Sequence, residues 1–284
     1  MKIRKNEPMS KHTTWRIGGP VDVFLQPESV AELQQALQEA IQPCYVIGGG
    51  SNLLVADDGI TGTVIQLGGS LCGLTIEDQT IIAEAGVPLP LLARKAAEHE
   101  LSGLEFAAGI PGTVGGAVCM NAGAYDGEMK QVLESVTALF PEEGVRTLSL
   151  KELDLSYRHS LFTDRPDGVV LSAVFRLTAG DPETIRARMA ELMQRRKASQ
   201  PLEYPSAGST FKRPVGHFAG GLIQQCGLKG LTVGGAQVSE KHAGFLINLG
   251  GATCADVLEL IRQVQERVLA ETGVRLEPEV RIIH

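Results

Sequence analysis

The chain is short of cysteine, of surplus positive charge and of long apolar runs. Its five cysteines, Cys44, Cys72, Cys119, Cys226 and Cys254, are odd in number and far apart. That spacing excludes the short pairings of zinc and redox motifs and offers no disulfide framework, so the thiols are expected to pack as small apolar groups. The six histidines are equally scattered, and no metal site is expected. Only 26 lysines and arginines stand against 33 carboxylates, a net charge of -7 with no basic block. This argues against a general attraction to nucleic acid or to anionic membrane. Any anionic ligand must therefore be held by local groups. No window approaches the ~18 apolar residues of a membrane span, and the opening Met1-Lys2-Ile3-Arg4-Lys5 lacks the character of a signal peptide. A cytoplasmic protein without membrane insertion is expected.

What the chain has in quantity is glycine. Of its 33 glycines, Gly109, Gly112, Gly115, Gly116 and Gly123 fall within the single run 109–123, GIPGTVGGAVCMNAG. Glycine permits positive φ and lets main-chain N–H groups converge with no side chain in the way, which suits close approach to a diphosphate. A second loop, Gly48-Gly49-Gly50-Ser51-Asn52, follows a short apolar strand at 44–47. In a dinucleotide fingerprint it would open a helix and carry a third glycine three residues after the second. Leu53 stands there instead, followed by an apolar run and a turn at 57–59, which argues against a Rossmann arrangement. Taken singly, either loop reads equally well as a tight connection in a compact fold. Together, with Glu84-Ala85-Gly86-Val87-Pro88 as a third close-packed turn, they favour a large dinucleotide such as FAD, held from two sides.

Periodicity orders the rest. Ser29 and Glu32 make a capping-box pattern ahead of Val30, Leu33, Leu37 and Ile41, which predicts a helix over 29–41 stopped by Pro43. Further helices are predicted over 88–100, from Asp181-Pro182-Glu183 with Ile185, Met189 and Leu192, and from Thr253 to Gly273 with Val257, Ile261, Val264 and Val268. Strands are predicted at 44–47, 53–55, 63–65, 80–83, 132–140, 145–150 and 169–177, and 274–283 reads as extended. The mixture is α+β. Three consecutive units, 1–75, 76–180 and 181–284, are expected.

Five segments then carry a resemblance. Gly48-Gly49-Gly50-Ser51-Asn52, the run 109–123, Tyr157-Arg158-His159-Ser160-Leu161-Phe162, Ala207-Gly208-Ser209-Thr210-Phe211-Lys212-Arg213-Pro214 and Glu277-Pro278-Glu279-Val280-Arg281-Ile282-Ile283 occur in order and at matching spacing. In them the chain closely resembles the UDP-N-acetylenolpyruvoylglucosamine reductase family, over nearly its whole length. The resemblance implies an FAD-binding fold of the vanillyl-alcohol-oxidase (PCMH) type in 1–75 and 76–180, and an α+β substrate-binding domain in 181–284. The compact last segment is similar to the family's shorter subtype, without a tyrosine-bearing loop. FAD is expected to bind non-covalently through Gly48, Gly49, Gly50, Ser51, Asn52, Gly86, Gly109, Pro111, Gly112, Thr113, Gly115, Gly116, Ala117, Asn121 and Gly123. The partners implied are two small molecules, NADPH as electron donor and the enolpyruvyl ether of a UDP-sugar, which is reduced to UDP-N-acetylmuramate for peptidoglycan.

The chemistry can be set against the residues. Hydride arriving at the outer carbon of the enolpyruvyl group leaves charge on the carbon bearing the carboxylate, so a fixed cation and a proton donor are required. Arg158 matches the family's catalytic arginine and can hold a carboxylate by two parallel hydrogen bonds; alone it reads equally as a structural ion pair. Ser209 matches the serine that protonates the carbon, though by itself it is a turn serine. Glu279 matches the glutamate that completes the site, and without the match it is a solvated carboxylate near the terminus. Tyr157, Lys212 and Arg213 are expected to bind substrate, Arg213 being the better candidate for its diphosphate. Arg195, Arg196 and Lys197 read as a solvated helix end. His242 either lines the pocket or is structural. Two other readings remain: an FAD-dependent alcohol or sugar oxidase of the same fold, and a nucleotide-binding module without catalysis.

Overall fold

In the computed structural model, which describes residues 1–69 and 71–284, local signals place the helix ends. Helix Val30–Glu39 starts where the Ser29 hydroxyl accepts the Glu32 N–H at 3.2 Å, and it stops two residues short of the predicted Ile41. Helix Pro182–Ser199 is opened by Asp181, whose carboxylate accepts the Thr184 N–H at 2.7 Å. Helix Cys254–Thr272 has a Thr253/Asp256 capping box and is closed by Gly273 at φ 71°. The predicted 88–100 forms as Leu89–Glu98.

The strands assemble into two larger antiparallel sheets and a third sheet of four strands. One runs in the order Gly144–Ser149, Leu133–Phe140, Val169–Arg176, Thr80–Glu84, Leu74–Glu77. The second runs Ser206–Ser209, Phe245–Asn248, Ala236–Val238, Thr232–Val233. The third runs Lys2–Pro8, Pro20–Gln26, Ile60–Gln66, Cys44–Ile47, with the last two strands parallel. Three differences from expectation stand out. The glycine run contains a six-residue helix, Val114–Cys119, where the sequence predicts a loop throughout. The tail 274–283 is a strand only over Arg281–Ile283. The strands Lys2–Pro8, Pro20–Gln26 and Leu74–Glu77, and the four strands of the second sheet, have no counterpart in the predicted set; Lys2–Pro8 is largely exposed, with Ile3 its one large apolar residue, too few to show a period of two.

The chain separates into two compact units that interleave in sequence. The first comprises Met1–Arg4, Phe24–Gly49 and Thr63–Arg196; the second comprises Lys5–Val23, Gly50–Gly62 and Lys197–His284. Contacts distant in sequence draw the early segments into the second unit. Trp15, fully buried, donates its indole N–H to Leu246 O at 2.9 Å, and Asn248 Nδ2 donates to Trp15 O at 3.0 Å. Leu53–Val55 pairs in parallel with Arg281–Ile283. Asp57 caps helix Cys254–Thr272 from outside, its two carboxylate oxygens accepting the N–H groups of Cys254 at 2.6 Å and Ala255 at 2.9 Å. That unit's core gathers Trp15, Leu54, Phe211, Ile223, Leu246 and Val264 among others. Among the described residues no helix is long and apolar enough to cross a membrane, and no group of three or more His, Cys, Asp or Glu could hold a metal ion.

Candidate functional site

In the first unit the three glycine-bearing turns meet. A Cβ placed on Gly48 would lie 2.2 Å from Thr113 Oγ1, and one on Gly49 would lie 3.2 Å from Gly112 Cα. The third turn joins through the Val114 N–H to Val87 O and the Gly115 N–H to Ala85 O, both 2.9 Å, and the Leu89 N–H to Gly112 O at 3.0 Å. These backbones approach so closely only because side chains are missing. Thr113 stands at the N-cap of Val114–Cys119, yet its hydroxyl caps nothing. Its Oγ1 is buried and has no hydrogen-bond partner among the described residues. A buried hydroxyl over a glycine floor is a place where a bound group supplies the missing partner.

Other residues of the run are spent on the fold itself. Gly115 lets the helix pack on Ala85, and its N–H, like that of Gly86, which bonds Leu71 O at 3.0 Å, is engaged by the neighbouring turn. Asn121 is buried at φ 40°; its Nδ2 donates to Glu128 Oε2 and to Ser156 O, both at 3.0 Å, and its Oδ1 accepts the Lys130 N–H at 2.9 Å. Gly123 allows the close hairpin pairing with Glu128. Pro111 and Gly116 face outward, and Ala117 is buried.

Arg158 sits in the first unit at the tip of a tight turn closed by reciprocal backbone bonds between Ser156 and His159, 3.1 and 3.2 Å. Its φ is 55°, a left-handed conformation that a long side chain adopts only at a cost. One guanidinium nitrogen reaches Gly123 O at 3.4 Å, and its Cζ lies 5.3 Å from the Tyr157 ring centroid. Tyr157 is exposed. Strain of this kind persists where the surrounding structure holds it, and it gathers at functional sites.

In the second unit Ser209 and Glu279 come together through the main chain. The register of Ser206–Ser209 against Phe245–Asn248 shifts between Ser206 and Ser209, and Gly208 takes up the bulge at φ 77° with open space where its Cβ would be. Ser209 is thereby exposed while Thr210 is buried. The Glu279 N–H donates to Thr210 O at 2.8 Å, Phe211 bridges Pro278, and the Lys212 N–H donates to Glu277 O at 2.8 Å. Asn52 holds the same strand, its Nδ2 donating to Glu279 O at 3.1 Å and its own O accepting the Arg281 N–H at 2.9 Å. Lys212 Nζ lies 3.6 Å from Glu277, in an exposed pair. Arg213 stacks its Cζ 4.5 Å from the centroid of the exposed Phe218 ring.

His242 takes the structural role. Its Nδ1 accepts the Gly244 N–H at 3.1 Å, its ring meets Phe245 edge-on at 4.8 Å, and burial pushes its pKa down, so the neutral Nε2–H tautomer fits. The basic run divides: Arg195 pairs with Glu191 on the surface and Lys197 is exposed, but Arg196 is buried and so departs from the solvated helix end expected of it. Sequence reasoning missed Asp57, Trp15 and the Thr210 carbonyl, which organise the second unit. No local pattern marks them, since each acts on a partner far along the chain.

Comparison with known proteins bears on this arrangement. Residues 21–149 match the FAD binding domain, and residues 200–283 match the C-terminal domain of UDP-N-acetylenolpyruvoylglucosamine reductase. The reductase of Syntrophomonas wolfei is 50% identical over 99% of this chain and 95% of its own length, and that of Agathobacter rectalis is 52% identical over 99% and 94%. The chain belongs to the UDP-N-acetylenolpyruvoylglucosamine reductase family. The crystal structure of the Thermus caldophilus enzyme superposes with a TM-score of 0.88 at 41% identity, covering all of both chains. This member of the reductase family is accordingly an α+β oxidoreductase with an FAD-binding domain. The residues present fit that cofactor. Gly48 and Gly49 leave a floor without side chains, and Thr113 offers a buried, unclaimed hydroxyl beside it.

Proposed function

We propose that the protein is a cytoplasmic, NADPH-dependent flavoenzyme that reduces the enolpyruvyl ether of UDP-N-acetylglucosamine to UDP-N-acetylmuramate, a peptidoglycan precursor. The observation that carries the reading is the 2.8 Å bond from the Glu279 N–H to Thr210 O, which ties the proposed carboxylate to the residue after the proposed proton donor. In this reading 1–75 and 76–180 serve FAD binding and 181–284 serves the substrate. FAD is held non-covalently, with Gly48, Gly49, Gly50, Ser51, Asn52, Gly86, Gly109, Pro111, Gly112, Thr113, Gly115, Gly116, Ala117, Asn121 and Gly123 forming the binding segments. When bound, FAD supplies a two-electron carrier between NADPH and the enolpyruvyl group.

The chain's own residues supply position, charge and a proton. The Arg158 guanidinium pairs with the substrate carboxylate and stabilises the enolate that develops on the adjacent carbon. Ser209 delivers its hydroxyl proton to that carbon, a transfer made feasible by the high basicity of the centre. Glu279 completes the site beside Ser209. Tyr157, Lys212 and Arg213 hold the rest of the substrate, with the Arg213 guanidinium suited to the diphosphate.

Anaerobic spectroscopy of the purified flavoprotein tests the reading. NADPH should bleach the flavin, and the enolpyruvyl substrate should restore its colour without oxygen. Recolouring by oxygen alone, with an alcohol or sugar doing the bleaching, would indicate an oxidase, and a colourless protein that FAD does not reconstitute would indicate an inert binding module. Ser209→Ala should leave bleaching by NADPH intact and slow the second half-reaction by about 10²-fold or more. Equal loss in both half-reactions removes Ser209 from the role of proton donor.

A further inference from the structure

The turn that carries Arg158 is held in two ways. Residues 119–130 grip its backbone: Lys130 Nζ donates to Leu155 O at 2.9 Å, Asn121 Nδ2 donates to Ser156 O at 3.0 Å, and the Ser160 hydroxyl donates to Cys119 O at 2.8 Å. The second hold is a single ring. His159 Nδ1 lies 3.1 Å from Asp154 O, and its Nε2 lies 3.2 Å from Asp164 Oδ2. A carbonyl and a carboxylate accept and do not donate, so each ring nitrogen is the donor in the bond it makes.

The two acceptors bracket the turn. Asp154 follows the short helix Leu150–Leu153 at φ 45°, and Asp164 is the last residue of helix Leu161–Asp164. The imidazole therefore ties the entry of the turn to its exit, and the residue that bears it directly follows Arg158. Its main chain adds the reciprocal bonds with Ser156. Between these anchors the backbone is strained, with Asp154 at φ 45° and Arg158 at φ 55°. Left-handed residues other than glycine persist where several contacts over-determine them. A solvated surface histidine would use neither nitrogen in this way, and the His159 side chain is 28% exposed.

The tie matters because of what the turn presents. A guanidinium that pairs with a carboxylate through two parallel bonds must be aligned as well as near, and a long side chain takes its direction from the backbone beneath it. We propose that His159 is a positioning residue for the reduction. It holds the turn in the conformation that aims the Arg158 guanidinium at the substrate carboxylate, acting through the main chain and touching no substrate. The inference rests on the reading of Arg158 as the cation beside the developing enolate. Asp154, Arg158, His159 and Asp164 all belong to the first unit.

Anaerobic rapid mixing of the full-length flavoprotein, with the two half-reactions followed separately, provides the test. His159→Ala should leave bleaching by NADPH within about 2-fold of wild type and slow recolouring by saturating enolpyruvyl substrate about 10- to 30-fold, the scale of a misplaced charged group. The amide nitrogen of asparagine falls near the place of Nδ1 and that of glutamine near the place of Nε2, so His159→Asn and His159→Gln should each recover part of the loss. Asp164→Ala, which removes one acceptor and leaves the ring, should slow recolouring about 2- to 5-fold. Added to Arg158→Lys, His159→Ala should cost less than about 3-fold further, because the group it aims is already altered. Unchanged recolouring in His159→Ala would overturn the proposal. So would equal slowing of both half-reactions or loss of flavin, which would make His159 a brace for the fold, and so would an undiminished loss in the Arg158→Lys background. Should His159→Ala fail to fold, Asp164→Ala carries the same comparison. Arg158→Lys that recolours at the wild-type rate would remove the role of Arg158 itself, an outcome distinct from a failure confined to the His159 variants.

Discussion

In the first unit, Gly48 and Gly49 lie against Thr113 and Gly112, and the geometry is set by side chains that are absent. In the second, Ser209, Asn52 and Glu279 are set by hydrogen bonds that join distant segments, as Asn52 to Glu279 does across 227 residues. The first arrangement fails by addition, since a methyl group has nowhere to go. The second fails by subtraction, since each strand is held by a few bonds. The contrast suits the proposed division of labour, in which a large rigid cofactor needs a close-fitting floor and a proton donor needs an exposed hydroxyl at a defined place.

Adding one carbon to the floor should have the largest effect. Gly48→Ala drives a Cβ into Thr113 Oγ1, and Thr113 is buried and begins a helix, so it has little freedom to turn away. Overpacking of this kind costs about 1–3 kcal/mol. FAD affinity should fall by about 10²-fold, measured by titration, because the substitution displaces Thr113, one of the residues proposed to bind FAD. Full retention of FAD affinity would show that the cofactor does not lie on Gly48.

Subtraction is best tried at Asp57. Its carboxylate satisfies two N–H groups at the start of helix Cys254–Thr272, and loss of such a cap costs about 1–2 kcal/mol. Asp57→Ala should therefore lower the free energy of unfolding by that amount, seen as a lower denaturation midpoint. It should leave FAD affinity unchanged, since the partners all lie in the second unit. A matching loss of FAD affinity would erase the distinction between the two regions. The same substitution should act on Cys254, whose pKa burial first and Asp57 second push up to about 11. With the carboxylate gone that pKa falls toward its ordinary value, and a thiol titration should detect the downward shift.

How far each region could be read in the sequence follows from the same contrast. Absent side chains are visible as composition, so the run 109–123 and the loop 48–52 stand out in the sequence; the expectation is that they face each other across a ligand, whereas Gly48 and Gly49 pack directly on Thr113 and Gly112. The helix Val114–Cys119 was not legible, because glycine disfavours helix and the packing of Gly115 on Ala85 overrides that preference. Capped helices were legible for a comparable reason: Ser29, Asp181 and Thr253 act within four residues of themselves. The interleaving of the units was not legible at all. Trp15, Asp57 and Leu53–Val55 enter the second unit through partners near the far end of the chain, and no local period encodes a partner's address. Arg196 is expected from the sequence to be one of three solvated cations but is buried, since a sequence shows the charge and not the face of the helix that is covered.

The smallest expected change in stability is also the one that separates folding from function most cleanly. Arg158 holds φ 55° at a turn position where glycine would be unstrained. A left-handed conformation costs an ordinary residue about 1–2 kcal/mol, against which glycine carries about 0.5–1 kcal/mol of extra chain entropy in the unfolded state. Arg158→Gly also forfeits the 3.4 Å contact to Gly123 O, the stacking on Tyr157 and the rest of the packing of a half-buried side chain. These losses offset the relief of strain, and the expected net change is within about 1 kcal/mol of zero, readable by chemical denaturation of the flavin-free protein. The same variant should retain bleaching by NADPH and lose recolouring by the enolpyruvyl substrate, because only the latter step develops charge next to the carboxylate. Arg158→Lys keeps the charge and the backbone strain, so it should show no gain in stability and only partial activity. A destabilised Arg158→Gly with both half-reactions intact would mean that the arginine is there to hold the turn.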